Sequence, residues 1–177
     1  MGPYWLNNEE VVYPSYTNLI ERINPFTGTP PIMVAPRGCN DLRAGGNVWA
    51  AWLDHYGLFA STGWHDPVAG LLAVGPDGSI GYTPNRQADF RCFVREPGGF
   101  TWHLTDMIVY DLQLMTERRA VWTTNQVVYV HNLPQPQILP GGAWGTKVAL
   151  IEQTYYICYF SGQYGVVIHK IDDNSMG

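Results

Sequence analysis

The side chains most able to do chemistry are five histidines that stand far apart in the sequence: His55, His65, His103, His131 and His169. Three of them have an aspartate close by, in Asp54–His55, in His65–Asp66 and in His103 with Asp106. These pairs could form a metal or acid–base cluster, because metal ligands often come together from distant strands. We favour the simpler interpretation that they are polar residues in solvated turns.

No short catalytic motif accompanies these histidines. The sequence lacks Gly-x-Ser-x-Gly, His-Glu-x-x-His, the P-loop and Gly-x-Gly-x-x-Gly, which are the signatures of four large enzyme classes. Cys39, Cys92 and Cys158 are too few and too widely spaced for a disulfide scaffold or a paired CxxC metal site. We therefore predict no catalytic residue, no metal and no cofactor, and a chain that is not an enzyme.

The aromatic residues carry more functional information than the ionisable ones. Seven Trp, eleven Tyr and six Phe occur in 177 residues. An aromatic ring stacks on a sugar or on an apolar partner while its N–H or O–H group bonds a polar one. Trp64 and Trp144 lie in Gly-rich segments that we interpret as loops, although a loop Trp more often folds back to cap a sheet. We take them as the preferred contact residues, in a set that comprises Trp64, His65, Asp66, Trp144, Arg37 and Arg43.

These residues must be positioned by β-strands, which the sequence predicts along the whole chain. Short apolar or alternating runs recur between Gly, Pro and Asn residues, and no window shows the 3.6-residue period of a helix. We expect an all-β fold with fourteen strands at 18–24, 32–35, 48–53, 57–61, 70–74, 79–83, 90–95, 100–105, 108–115, 120–123, 127–132, 148–152, 155–161 and 164–171.

A weak internal repeat connects these strands. Residues 46–59, 99–112 and 154–167 each contain an apolar strand, a polar turn and a second strand, and they recur about 54 residues apart. The segments 19–25 and 167–173 also resemble each other. The repeat predicts a single β-rich domain over residues 1–177, with a short N-terminal extension of about residues 1–16.

Two short motifs resemble those of β-propellers. Residues 19–28, with Arg-Ile-Asn-Pro-x-Thr-Gly, are similar to the outer-strand turn of many propeller blades, and residues 74–80 resemble the Pro-Asp-Gly hairpin of the same superfold. The resemblance implies blade-like antiparallel sheets in a partial or small β-propeller, with a β-sandwich as the alternative. Three or four repeats are few for a closed ring, so another chain could complete it.

Composition restricts the partners and the location. Ten basic and fifteen acidic residues give a net charge of −5, and no basic stripe is present to bind nucleic acid. The longest apolar run, Val48–Leu53, is too short for a membrane span, and the first residues do not resemble a signal peptide. We expect a soluble chain with no membrane partner, made in a reducing compartment, and a virion is one possible location.

Three functions remain open at this point. The first is a non-enzymatic structural, assembly or adhesion module, of the β-rich and lysine-poor kind found in virus particles and phage tails, which binds other protein chains as a homo-oligomer or in a larger assembly. The second is a carbohydrate-binding, lectin-like propeller that uses its loop Trp residues to bind glycans. The third is a propeller-class hydrolase, which no motif supports.

Overall fold

The computed structural model describes residues 2–116, 118–124, 127–131, 137–139 and 144–171, and it confirms the all-β fold. These residues form five antiparallel sheets and no helix. Each sheet is a meander whose strands are neighbours in chain order. The described part of the chain has no apolar helix of membrane-spanning length.

The first three sheets have four strands each. Sheet 1 consists of β1–β4, which span Tyr4–Trp5, Val11–Pro14, Ile20–Ile23 and Ile32–Ala35. Sheet 2 consists of β5–β8, which span Asp41–Gly45, Val48–Leu53, Gly57–Ala60 and His65–Asp66. Sheet 3 consists of β9–β12, which span Gly70–Val74, Ile80–Thr83, Cys92–Arg95 and Thr101–Thr105.

The last two sheets have four and three strands among the described residues. Sheet 4 consists of β13–β16, which span Asp111–Leu114, Ala120–Thr124, Val127–His131 and Gln137–Leu139. Sheet 5 consists of β17–β19, which span Trp144–Ile151, Thr154–Ser161 and Gly165–Ile171. All fourteen expected strands have a counterpart here, and β1, β2, β5, β8 and β16 are additional.

The chain divides into two compact units, residues 1–105 and residues 106–177. Sheets 1 to 3 belong to the first unit and sheets 4 and 5 to the second. A single repeat domain over residues 1–177 stays a prediction. The segment expected to be an N-terminal extension, about residues 1–16, provides strands β1 and β2 of sheet 1.

Strand β6 shows how sheet 2 is covered on both faces in the first unit. Successive side chains of a strand point to opposite faces of its sheet. Trp49 and Ala51 pack in a core cluster with residues of sheet 1, whereas Val48 and Ala50 pack in a second cluster with residues of sheet 3. A strand buried on both faces needs a continuous apolar sequence, which explains the run Val48–Leu53.

Neighbouring sheets within a unit are arranged like blades. The first strand of each sheet contacts the first strand of the next, β1 with β5 and β5 with β9 in the first unit, and β13 with β17 in the second. In the second unit, Tyr155, Ile157 and Tyr159 of β18 alternate inward and form the core with Val121 of β14 and with Met115, which follows β13.

The unit that repeats in the structure is a whole sheet, and its spacing differs from the 54-residue interval of the sequence repeat. Residues 46–59 cover the β6–β7 hairpin and residues 154–167 cover β18 and the start of β19. Residues 99–112, in contrast, run from the last strand of sheet 3 into the first strand of sheet 4. The five sheets begin at residues 4, 41, 70, 111 and 144, a shorter spacing than the sequence similarity indicated.

Candidate functional site

One face of sheet 3 carries a row of aromatic rings that crosses its last three strands. Tyr82 of β10 pairs with Phe93 of β11, and Phe93 pairs with His103 of β12, so the three side chains share a face. Their ring centroids lie 6.0 Å and 5.1 Å apart. Trp64, from the loop before β8, extends the row, because its ring centroid lies 4.8 Å from that of Tyr82.

Two arginines lie on the same face as this row. Arg95 is two residues after Phe93 on β11, so alternation along the strand gives it the same orientation, and Arg91, just before β11, has its guanidinium near the Phe93 ring. The guanidinium carbon of Arg91 is 5.4 Å from the Phe93 ring centroid, and that of Arg95 is 5.1 Å from the Trp64 ring centroid. Both distances are in the range of cation–π contacts. We call the whole set the aromatic–arginine face: Trp64, Tyr82, Phe93, His103, Arg91 and Arg95.

Carboxylates accompany both arginines. The Arg91 guanidinium is 2.5 Å from a carboxylate oxygen of Asp89, and its Nε also donates to that carboxylate. This hydrogen bond holds the pKa of Asp89 below its usual value. Arg95 donates a hydrogen bond of 3.2 Å to the carbonyl oxygen of Gly99, and Glu96 follows it in the β11–β12 turn. Arg91 is thus paired with a carboxylate, and Arg95 has one beside it in the sequence.

A cleft of about 480 Å³ opens at the Trp64 end of the face. Its walls come from three turns, and the lining includes residues 62–65, Gly78 and residues 95–99. Gly78 has a φ of 83°, a backbone conformation that residues other than glycine rarely adopt. The lining thus combines the indole ring of Trp64, the guanidinium group of Arg95 and the peptide groups of the turns. Small-molecule sites use a similar mixture of apolar surface and a few polar groups.

Trp64 and His65 are the expected contact residues that line this cleft. Trp64 lies in a loop, as the sequence predicts, and it is half-buried because it packs against the core between sheets 2 and 3. His65 is exposed, and its ring stacks on Tyr56 with 4.2 Å between centroids. The Nε2 atom of His65 is also 2.9 Å from the carbonyl oxygen of Tyr56.

The other expected contact residues of the first unit are outside the cleft lining. The Asp66 carboxylate accepts hydrogen bonds from two backbone N–H groups of the β8–β9 connection. The Arg37 guanidinium lies 3.9 Å from the Tyr56 ring centroid. Arg43 bonds the Tyr4 hydroxyl and lies 3.4 Å from the Asp41 carboxylate. Asp66 and Arg43 thus have local structural partners.

Trp144 is in the second unit, apart from this set. The structure places it at the start of β17, where it pairs with Phe160 across a bulge, rather than in a loop. The glycines around it suggested a loop, but Trp144 and Gly145 both belong to β17. Its side chain lies outside the described residues.

The histidine–aspartate pairs do not converge. Asp54 and His55 line a separate groove of about 600 Å³, beside an Arg86 guanidinium that lies 3.6 Å from the Trp52 ring centroid. His103 instead belongs to the aromatic–arginine face, and the side chain of His131 is not among those described. Within the described ranges, no group of three or more His, Cys, Asp or Glu residues is placed to hold a metal ion.

Sequence reasoning missed most of the aromatic–arginine face. It placed Phe93 and Arg95 on a strand but did not consider them as a site. A signal was present in Arg91-x-Phe93-x-Arg95, where every second residue could stack or carry charge. The partners of that strand are remote in the sequence, so the row becomes visible only once the register is known.

Comparisons with known proteins give no assignment for this chain. No model of a known protein family matches the sequence, and no curated protein matches it either.

Proposed function

We propose that this chain is a non-enzymatic assembly or adhesion module that binds other protein chains, either copies of itself or different proteins. The observation that supports the proposal is the apolar outer face of sheet 5. We define this outer face as the residues of β18 and β19 that point away from the core of the second unit: Tyr156, Cys158, Phe160, Val166, Ile168 and Lys170.

Register and burial define this outer face. Phe160 pairs with Val166, Cys158 with Ile168 and Tyr156 with Lys170. The exposed fractions of Phe160, Val166 and Ile168 are 48%, 66% and 70%. Their β18 neighbours on the other face are buried in the core. Adjacent apolar side chains that remain in water are typical of a surface that another molecule covers.

The first sheet offers a second apolar surface. Trp5 pairs with Val11, which in turn pairs with Ile23, so these three side chains share a face of sheet 1. Trp5 is exposed and stacks on an exposed Phe26 with 6.3 Å between ring centroids. Both the first and the last sheet of the chain therefore have apolar side chains available to a partner.

A partial or small β-propeller accounts for this pattern. Blade-like sheets stack face to face, so a sheet that ends such a stack leaves one face uncovered. We propose that another chain covers these faces, as it would in a virus particle or a phage tail. The proposal includes no nucleic-acid partner, because the net charge is −5, and no membrane partner.

Analytical ultracentrifugation tests the proposal at micromolar concentration. We expect the wild-type chain to sediment as a species heavier than its 19.9 kDa monomer. The Ile168→Lys variant places a charge on the outer face of sheet 5 without opening a core cavity, because Ile168 is exposed. We expect it to weaken association by about tenfold or more.

The matched control is Gln163→Lys, which adds the same charge in the exposed β18–β19 turn. This variant should associate like the wild type. A wild-type protein that stays monomeric would contradict self-association through this face. An equal loss of association in both variants would show that the added charge, rather than its position on the face, disrupts the assembly.

A further inference from the structure

We infer that the aromatic–arginine face of sheet 3 binds a neutral oligosaccharide. This inference goes beyond the proposed assembly function and does not depend on it. The aromatic–arginine face belongs to the first unit, whereas the outer face of sheet 5 belongs to the second. Either surface can therefore be altered while the other remains intact.

The first step is the spacing of the rings. Neighbouring ring centroids from Trp64 through Tyr82 and Phe93 to His103 lie 4.8, 6.0 and 5.1 Å apart. From Tyr82 to His103 this spacing follows from the distance between adjacent strands, and it is close to the length of one pyranose unit in a sugar chain. The planes of Tyr82 and Phe93 differ by 32°, whereas Trp64 meets Tyr82 edge-on at 74°. Two successive sugar units could therefore place their C–H faces on Tyr82 and Phe93, with Trp64 as a side wall.

The second step is the rigidity of the row. Trp64 and Tyr82 both pack against the core between sheets 2 and 3, so their exposed parts are held in place. Phe93 is half-buried between its two ring neighbours. Rings that are already ordered lose little conformational entropy when a ligand stacks on them. A sugar is flexible and well hydrated, so its affinity is higher when the rings that it contacts are already ordered.

The third step is the supply of hydrogen-bonding groups. Arg95 gives one of its five N–H donors to the Gly99 carbonyl, which leaves donors that can reach a ligand in the cleft. Thr62 and Glu96 also line the cleft, and hydroxyl and carboxylate oxygens accept hydrogen bonds. Sugar hydroxyls donate and accept at once, so they need this mixture of groups.

The fourth step is the absence of net charge. Arg91 is paired with Asp89, and Arg95 stands next to Glu96 in the cleft lining. A polyanion such as a nucleic acid requires unbalanced positive charge, so this face does not suit one. A protein partner favours large exposed apolar side chains, which sheet 5 offers, whereas the rings here alternate with charged groups.

The inference is tested with defined hexasaccharides added to the full chain. The neutral probes are cellohexaose, chitohexaose, maltohexaose and mannohexaose, and the acidic probe is hexagalacturonate. Tryptophan fluorescence reports the titration, and amide chemical shifts locate the site. We expect at least one neutral probe to bind, with the largest shifts in β10, β11 and β12, and weaker binding of the acidic probe.

Two variants test the site itself. Phe93→Ala removes the central ring, and Arg95→Ala removes the donors at the cleft while the rings stay in place. We expect each to weaken binding of the neutral probe by about tenfold or more. The control is Tyr110→Ala, which removes a 69% exposed aromatic side chain from the second unit and should leave binding unchanged.

Several outcomes would overturn the inference. One is the failure of every neutral probe to bind at millimolar concentration. Another is binding that survives both Phe93→Ala and Arg95→Ala, or binding of the acidic probe alone. Circular dichroism of each variant establishes that it is folded before its titration is interpreted. Sedimentation of the same samples reports separately on the assembly proposal.

Discussion

At the scale of single residues, burial makes two of the three thiols unreactive. Burial raises the pKa of Cys92 to about 12. Burial, with a smaller contribution from the Asp41 carboxylate, raises the pKa of Cys39 to about 11. The nucleophilic form of cysteine is the thiolate, so both side chains are protonated at neutral pH. They serve as apolar packing groups rather than as candidate nucleophiles.

This protonation leads to a prediction about alkylation. In the folded protein at about pH 8, where an ordinary thiol of pKa about 8.5 begins to ionise, Cys39 and Cys92 should resist iodoacetamide. Both should react fully once urea unfolds the chain. Mass spectrometry of tryptic peptides measures the extent at each site. Rapid modification of Cys92 under folded conditions would contradict its burial.

A second residue-scale prediction concerns the Asp89–Arg91 pair. The hydrogen bond from Arg91 favours the charged carboxylate and lowers the pKa of Asp89, so the Arg91→Gln variant should raise that pKa toward its ordinary value. The pair stabilises the fold above the ordinary Asp pKa, and this contribution disappears as the pH falls through the lowered pKa of the folded state. An NMR titration of the Asp89 side chain measures the shift, and an unchanged pKa in the variant would contradict the pairing.

For single residues, the sequence was enough to identify a site residue within one loop, but not residues that only strand pairing brings together. Trp64 was recognisable because it stands among residues that predict a turn, and the structure keeps it in a loop beside the cleft. Tyr82, Phe93 and His103 are ten or more residues apart. Each resembles an ordinary strand residue until the pairing of β10, β11 and β12 aligns them on one face.

At the scale of elements, two strands of similar sequence can differ in which of their side chains are buried. The segments 19–25 and 167–173 align Ile20 with Ile168, and they fall on β3 and β19, the third strands of their sheets. Ile20 is fully buried whereas Ile168 is 70% exposed. A one-residue change in phase exchanges the two faces of a strand. Sequence similarity therefore predicted the kind of strand correctly, but it could not predict the direction of its side chains.

Short strands were the other limit of sequence-based prediction. β1 and β8 contain two residues each, Tyr4–Trp5 and His65–Asp66, so neither has the length over which alternation can be recognised. β5 was missed for a different reason, because Asp41–Gly45 contains one large apolar residue, Leu42. β5 and β8 form by pairing with β6 and β7, which have strong patterns of their own.

Two glycines provide an element-scale prediction about the turns of sheet 2. Gly57 and Gly63 have nearly equal φ values of 84° and 85°. A Cβ atom on Gly57 would collide with the backbone of Asp66 and Pro67, whereas one on Gly63 would meet nothing within 4 Å. Gly63→Ala should lower the free energy of unfolding by about 1 kcal/mol through backbone strain alone. Gly57→Ala should lower it by at least about 2 kcal/mol more, because the clash adds to the strain.

Urea unfolding monitored by tryptophan fluorescence gives both free energies. Because the two variants share the substitution and the backbone conformation, the difference between them isolates the close approach of β7 to the β8–β9 connection. Equal free energies of unfolding would contradict that close approach.

At the scale of the whole molecule, the proposed functions use chemically different surfaces. The outer face of sheet 5 is apolar apart from Lys170 and the neighbouring Lys147 of β17, which pairs with Cys158, while the aromatic–arginine face pairs Arg91 with Asp89 and has Glu96 beside Arg95. Charged residues make up 14% of the chain, and the net charge is −5. Two copies that approach each other therefore repel weakly over long range and attract only where apolar side chains meet.

This balance predicts how salt and temperature affect association. Raising the ionic strength from about 0.05 M to about 0.5 M shortens the range of electrostatic repulsion, so self-association of the wild-type chain should strengthen. Cooling should weaken it, because burial of apolar surface is less favourable at low temperature. Sedimentation at several salt concentrations and temperatures measures both effects. Association that weakens steeply with added salt would instead indicate that ion pairs hold the copies together. The outer face of sheet 5, whose defined residues include no carboxylate, could not then be the contact.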